Sequence, residues 1–524
     1  MENGRKEFLS VLCNLYMIAL MAAVPLYTGG TYYLIGDTKY RLFRNVSLIC
    51  LGLWLLLGVV PALWEGIRRI LDGRKSQKAL KGEKGNWGTG HIKKNYVDNF
   101  MIFYGVCVLL SAVCSPYKGT PWTGYRDWYM GAVSQLIFVG IYFFVSRNYD
   151  GSAYPIYLGE AALFLAALVG IINRLGKDPL RLLAPFLRHT WESVHMLSTI
   201  GNINWLCGYM GVMTAFPLSG YLNGGKKGKN FLMLVLSGLS IVLLILQGSD
   251  IGVIMAGCCL GSCFVAGFLP RFKSHRLIFF EKGILLTALV SALLSGVGWR
   301  TVIRRTEWAV PGDGPTRKIL FHPAVFTVLF LILLLVFLAG RKIPESVRKT
   351  AAVVIPILGC LTVCVCAVWY FAKQGSGIAW GSGRGSLWKA ALKGFGQAGP
   401  LQKLLGAGPD CFAEYIYSIM PAEEVFGLGG YWGKSIFANA HNEWLNSLVN
   451  LGVLGTLAYL GIFVSAAGRY RGMLLGLLAL AMYGLNTMVC FQQVLNTPLL
   501  FLVLGLCENR IRRWEEQQGT QREE

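Results

Sequence analysis

Apolar runs nearly free of charge recur along the whole of this chain, and nothing else in the sequence restricts its fold so strongly. A helix needs about 20 residues to cross the roughly 30 Å of bilayer hydrocarbon. Runs of that order lie at 8–28, 46–64, 97–115, 129–146, 154–173, 203–222, 231–247, 250–269, 283–299, 323–340, 351–371, 443–467, 473–490 and 493–507. Membrane strands would alternate in and out over about ten residues, and these runs do not, so their backbones are expected to bond within themselves as helices. With 54% of 524 residues hydrophobic and 15% charged, a soluble globule is excluded. The expected fold is all-α: a polytopic membrane bundle of about 14 transmembrane helices.

Basic residues in short loops are retained on the cytoplasmic side, and they give the bundle a direction. Arg5 and Lys6 precede the first run, and GIRRILDGRKSQKALKGEKGNWGTGHIKK follows the second. KKGK at 226–229, RFKSHR at 271–276 and Arg341–Lys342 fall at later inner turns, and ENRIRRWEE follows the last run. Both termini are therefore expected in the cytoplasm, and the first run, without a small-residue cleavage site, is expected to stay as an anchor. The net charge of +22 would suggest nucleic acid in a soluble protein. Here it mostly reflects the inner bias, and no nucleic-acid partner is expected. The predicted organisation is a membrane unit over 1–371 with a basic cytoplasmic linker at 65–95, an outer segment at 372–442, further spans over 443–507 and a cytoplasmic tail at 508–524. The outer loops keep an excess of Lys and Arg by this assignment, which predicts an anionic ligand or lipid headgroups there.

The outer segment has internal structure. After GSGIAWGSGRGS, residues Leu387, Trp388, Ala391, Leu392 and Phe395 recur at helical spacing with Lys389 and Lys393 on another face, predicting an amphipathic helix on the outer leaflet. LLGAGPD is a glycine turn, and a second helix striped by Phe412, Tyr415, Ile416 and Ile419 is expected to start at Pro409–Asp410. A loop then delivers His441 to the first turn of the twelfth span. Free N–H groups and the helix dipole there attract an anion and keep an imidazole neutral, ready to take a proton from a hydroxyl. A plain capping role is the alternative.

Other chemistry is sparse. GSGRGS at 381–386 follows no strand, which argues against a dinucleotide site. No HExxH and no Asp-x-Asp falls in an outer loop, so no metal is expected. Glu160 and Asp250 are isolated carboxylates in or beside spans, and the 14 cysteines lie mainly in spans, where they act as small apolar residues.

AHNEWLNSLVNLGVLG, preceded by LLGAGPDCF and GRGSLWKAAL, resembles the O-antigen ligase and O-antigen polymerase superfamily of bacterial membrane glycosyltransferases. SPYKGTPWTGYRDWYMG is similar to that family's first large outer turn, and STIGNINWLCGYM to its Gly-Asn-x-Asn entry to a span. The resemblance implies a GT-C-like bundle in the bacterial cytoplasmic membrane. It implies a polyprenyl-diphosphate-linked glycan as donor and a hydroxyl on a glycan or other acceptor, joined on the outer face without metal or cofactor. It makes His441 the general base, with Asn442, Gly406 and Gly408 in support. Arg384 and then Arg126 are the expected diphosphate clamp, with Arg300, Arg304 and Arg305 as further candidates; Trp388, Tyr431 and Trp432 are candidates for stacking on sugars. One departure stands out: GSDIG carries Asp250 where many members have an arginine, which implies that phosphate binding shifts toward 300–305. A lipid-linked oligosaccharide flippase is the alternative reading.

Overall fold

Every apolar run read from the sequence lies in a helix, the outcome expected of a backbone that must satisfy itself away from water. The structure, a computed structural model, describes residues 2–68, 95–183, 195–304, 322–340, 342–374, 384–421 and 437–523. The first half comprises α1 (Glu2–Ile18, continued by a wider π turn to Leu26), α2 (Ile35–Trp54, likewise continued), α3 (Tyr96–Cys114), α4 (Ala132–Asn148), α5 (Tyr154–Arg174) and α6 (Ile203–Asn223). There follow α7 (Lys227–Leu246), α8 (Asp250–Val265), α9 (Arg276–Arg304), α10 (Pro323–Gly340) and α11 (Glu345–Gln374). The segment between α11 and α15 holds α12 (Arg384–Gln397), α13 (Pro400–Leu405) and α14 (Phe412–Ile419), and there follow α15 (Glu443–Arg469), α16 (Leu474–Thr487) and α17 (Thr497–Glu523). Among the described residues one small hairpin, β1 (Met196–Leu197) with β2 (Gly201–Asn202), is antiparallel and leads into α6. Among the described residues, 9 helical segments are long and apolar enough to cross a membrane; α4 and α16 are shorter apolar helices.

α6 forms the centre. It packs on α7, α8 and α16, and Leu206, Tyr209, Met210, Val212 and Met213 are fully enclosed, as befits a helix apolar on every side. α15 lies along α3, and α17 along α4. α10 pairs chiefly with α9 and turns the rest of its surface outward, with Leu335 65% exposed, so in a bilayer that face meets lipid.

Three boundaries differ from the hydropathy reading. α2 starts at Ile35, well before 46, and α9 starts at Arg276, before 283. Of the segment predicted as a cytoplasmic tail, 508–524, residues 508–523 continue α17. Charge pairing explains the continuation: buried Glu508 accepts from Arg469 Nε at 2.6 Å and from Asn95 Nδ2 at 2.8 Å, while Asp98 meets Arg147 at 2.8 Å and Arg512 at 2.5 Å. This network ties the ends of α3, α4, α15 and α17. Most of the predicted linker, 69–94, lies outside the described residues.

Candidate active site at the start of α15

The site rests on a joint between two glycine turns. α15 is interrupted at Gly452, whose φ of 66° and ψ of −169° are not helical. The break leaves the carbonyls of Val449 and Asn450 open, and they accept the backbone N–H groups of Ala407 (2.9 Å) and Gly408 (3.0 Å). Ser111 Oγ also donates to Asn450 O, and Ser115 Oγ to Ala407 O. Gly406 has φ +81°, and a Cβ there would stand 2.2 Å from the Asn450 carbonyl oxygen. Glycine is thus demanded twice over, by conformation and by contact. Gly406→Ala is expected to destabilise the protein by about 1–3 kcal/mol, read as a fall in melting temperature of the purified protein in detergent.

The same turn holds the loop that carries Arg126. Asp410 Oδ2 accepts from Tyr125 N at 2.7 Å and from Met130 N at 2.9 Å. That loop is pinched where Gly124 meets Gly131, since a Cβ on either would come within 2.4 Å of the other strand's backbone. Asp410 itself has φ +60°, so α14 begins at Phe412 and not at the Pro409–Asp410 start expected: the carboxylate is used across the loop and not on a first helical turn. The Phe412, Tyr415 and Ile416 stripe is buried as its spacing predicts.

Burial pushes the Asp410 carboxyl up to about 7, against the opposing pull of the Met130 and Tyr125 N–H groups. An acid whose folded value exceeds its unfolded value of about 3.9 contributes stability that is complete below pH 4 and lost as pH rises toward 7. Asp410→Asn is expected to flatten that decline in thermal melts recorded from pH 4 to 7.

His441 lies two residues before α15, just outside its N-cap, and not in its first turn. The reason is Asn442, whose Oδ1 accepts from Leu445 N at 3.0 Å and so serves as the N-cap, while its Nδ2 donates to Met488 O at 2.9 Å. His441 is left with φ +46°, its N–H donating to Asn439 Oδ1 at 3.1 Å. Its ring meets Phe491 edge-on at 5.3 Å between centroids; Phe491 meets Trp128 at 4.6 Å, and Trp128 meets Trp205 at 5.8 Å. Three separated motifs, YRDW, NINW and HN, are therefore joined by one aromatic chain.

Arg384 opens α12 within electrostatic reach of this histidine. Burial, and then the Arg384 charge, push the His441 imidazole down to about 3. Burial lowers Arg384 as well, with Cys490 and Asp250 opposing the shift. The acid in GSDIG thus lies near Arg384, where its negative charge supports the cation. α12 does not present its apolar stripe to lipid as expected. Leu387, Ala390, Ala391 and Gly394 are buried, with Tyr415 Oη donating to Gly394 O at 2.9 Å, whereas Leu392 is 54% exposed. Small residues at 390, 391 and 394 let α12 approach α14 and α15 closely.

The other predicted residues are dispersed. Arg126 is exposed near the tip of its loop, and Trp388 is partly buried one turn along α12 from Arg384. Arg300 is exposed near the end of α9, whose packing partners are α7, α8, α10 and α11; Arg304 ends that helix. α9 packs on α8, which begins at Asp250. Arg305, Tyr431 and Trp432 lie outside the described residues. Sequence reasoning passed over Trp128, Trp205, Phe491 and Asp410. Trp128, Trp205 and Asp410 lie inside recognised motifs, which was a usable signal; nothing local marks Phe491. Among the described residues no group of three His, Cys, Asp or Glu side chains is placed to hold a metal. A comparison with models of known protein families finds no match for this chain, nor does a comparison with curated proteins.

Proposed function

We propose that this chain is a membrane glycosyltransferase of the O-antigen ligase and polymerase kind, moving a glycan from a polyprenyl diphosphate to an acceptor hydroxyl on the outer face of the cytoplasmic membrane. The observation that supports it is the meeting of a neutral-held His441 with Arg384, two residues chosen for complementary tasks and delivered by different segments. The acceptor oxygen attacks the anomeric carbon as its proton passes to His441. The bond from that carbon to the diphosphate oxygen breaks, and the electron pair leaves with the diphosphate. Arg384 faces that growing charge, since a guanidinium binds phosphate oxygens in pairs. A bound diphosphate also raises the proton affinity of the adjacent imidazole, offsetting Arg384 at the moment the proton must be accepted.

The test is transfer by purified protein from a lipid-linked donor, assayed with and without EDTA. Activity that survives the chelator is expected, and strict dependence on added divalent metal would contradict the scheme. In cells lacking the protein, donor should collect on the outer leaflet; collection on the inner leaflet would favour a flippase.

A further inference from the structure

We propose that a groove between α5 and α7 binds an anionic diacylglycerophospholipid, with the phosphate on the lysine-rich start of α7 and a glycerol ester on Glu160. The groove holds about 590 Å³ and is walled by Tyr157, Phe164, Leu232, Val235 and Leu236. The two helices run parallel and in fixed register: Lys229 Nζ donates to Tyr157 Oη at 3.1 Å, Gly170 faces Leu243, and Arg174 bonds the Leu246 carbonyl at 3.0 Å.

Two features point to the ligand. The first is the mouth. Lys226 caps α7 without a side-chain hydrogen bond, so the first-turn N–H groups have no partner within the helix. Lys226, Lys227 and Lys229 are all exposed around them, and nothing lies within 4 Å of where a Cβ on Gly228 would be. A helix start of that kind, open and ringed by cations, suits a phosphate. The second is Glu160, 8% exposed and lining the same groove, with no hydrogen bond and no ion pair among the described residues, the charge of Lys229 reaching it from the mouth. An ionised carboxylate without a partner is costly in hydrocarbon, whereas the neutral acid presents one O–H donor.

Depth decides the ligand class. Glu160 lies three residues beyond Tyr157, about 4.5 Å further along the helix, where a phosphate held at the mouth would place the ester carbonyls of its glycerol. Leu232 lies level with it, and below it Phe164, Val235 and Leu236 receive acyl chain. An isoprenyl phosphate offers no ester there. The site stands apart from His441 and does not depend on the transfer reaction.

The experiment uses delipidated full-length protein in detergent, with dicyclohexylcarbodiimide labelling of Glu160 read by peptide mass, and lipid retention of variants by native mass spectrometry. Phosphatidylglycerol is expected to protect Glu160, whereas phosphatidylethanolamine and inorganic phosphate protect it far less. Replacing Lys226, Lys227 and Lys229 with Gln should weaken phosphatidylglycerol binding by up to about 100-fold. An ether-linked phosphatidylglycerol should bind about three- to tenfold more weakly than the diester to the wild type. That gap should persist in Glu160→Gln, which keeps an N–H donor, and close in Glu160→Leu. Equal protection by the two headgroups, protection by inorganic phosphate alone, an unaffected lysine variant, or equal binding of ester and ether lipids by the wild type would each overturn the proposal.

Discussion

Replacing His441 with alanine is expected to lower transfer from a polyprenyl-diphosphate donor by about 10²–10⁴-fold, the range that a positioned base contributes, with the protein still reaching the membrane in normal amount. The cap and its bond to the Met488 carbonyl belong to Asn442, and the glycine joint lies further along, so alanine at 441 leaves the start of α15 intact. The position has φ +46°, a strain of about 1–2 kcal/mol that histidine and alanine share. His441→Asn, whose side chain tolerates that region, separates loss of chemistry from loss of fold. Both variants should be inactive with melting temperatures near that of the wild type. Wild-type transfer by either would remove His441 from the mechanism. Because burial and Arg384 hold the imidazole down at about 3, the acid limb of kcat/KM should fall far below the ordinary histidine range of about 6.5. A limb near 6.5 would show a solvated, unperturbed ring.

Arg384→Gln is expected to cost about 10²–10³-fold in rate, comparable to removing one preorganised donor from a developing anion. It should also move the acid limb upward, since the guanidinium is the second cause, after burial, of the low His441 value. Arg384→Lys retains the charge but not the paired geometry, so the limb should stay in place while the rate falls. A residue that merely supported α12 would change the rate without moving the limb. An unchanged rate in Arg384→Gln, or an unmoved limb, would contradict the role. In Arg384→Gln Asp250 is left beside the site without its cation, so Asp250→Asn combined with Arg384→Gln should recover any part of the loss due to that negative charge.

Much of this was legible one segment at a time. Hydropathy located the helices because the cost of an unsatisfied backbone in lipid is paid within each run. The Phe412, Tyr415 and Ile416 stripe was legible because helical period alone turns those residues to one side. The errors came where a distant partner decided the outcome. His441 was read into a helical turn that Asn442 ends, and Asp410 was read as a helix start although it accepts hydrogen bonds from Tyr125 and Met130. The stripe on α12 was read toward lipid, although Tyr415 and Ile416 of α14 occupy the adjoining face. Gly406 and Gly452 looked like separate turns; their common purpose appears only where each approaches the other's backbone.

Composition and spacing were enough for the class of the molecule, its long polar segment and a short set of candidate side chains, because hydrophobic run length, charge and turn chemistry are properties of neighbours in the chain. Choosing among the arginines was not a local matter. Arg126, Arg300 and Arg384 carry the same charge, and packing alone places Arg384 near His441 while α9 carries Arg300 among other helices. Electrostatic influence falls with distance and with water between charges, and distance in this protein is set by the close approach of α12, α14 and α15, which no single segment encodes.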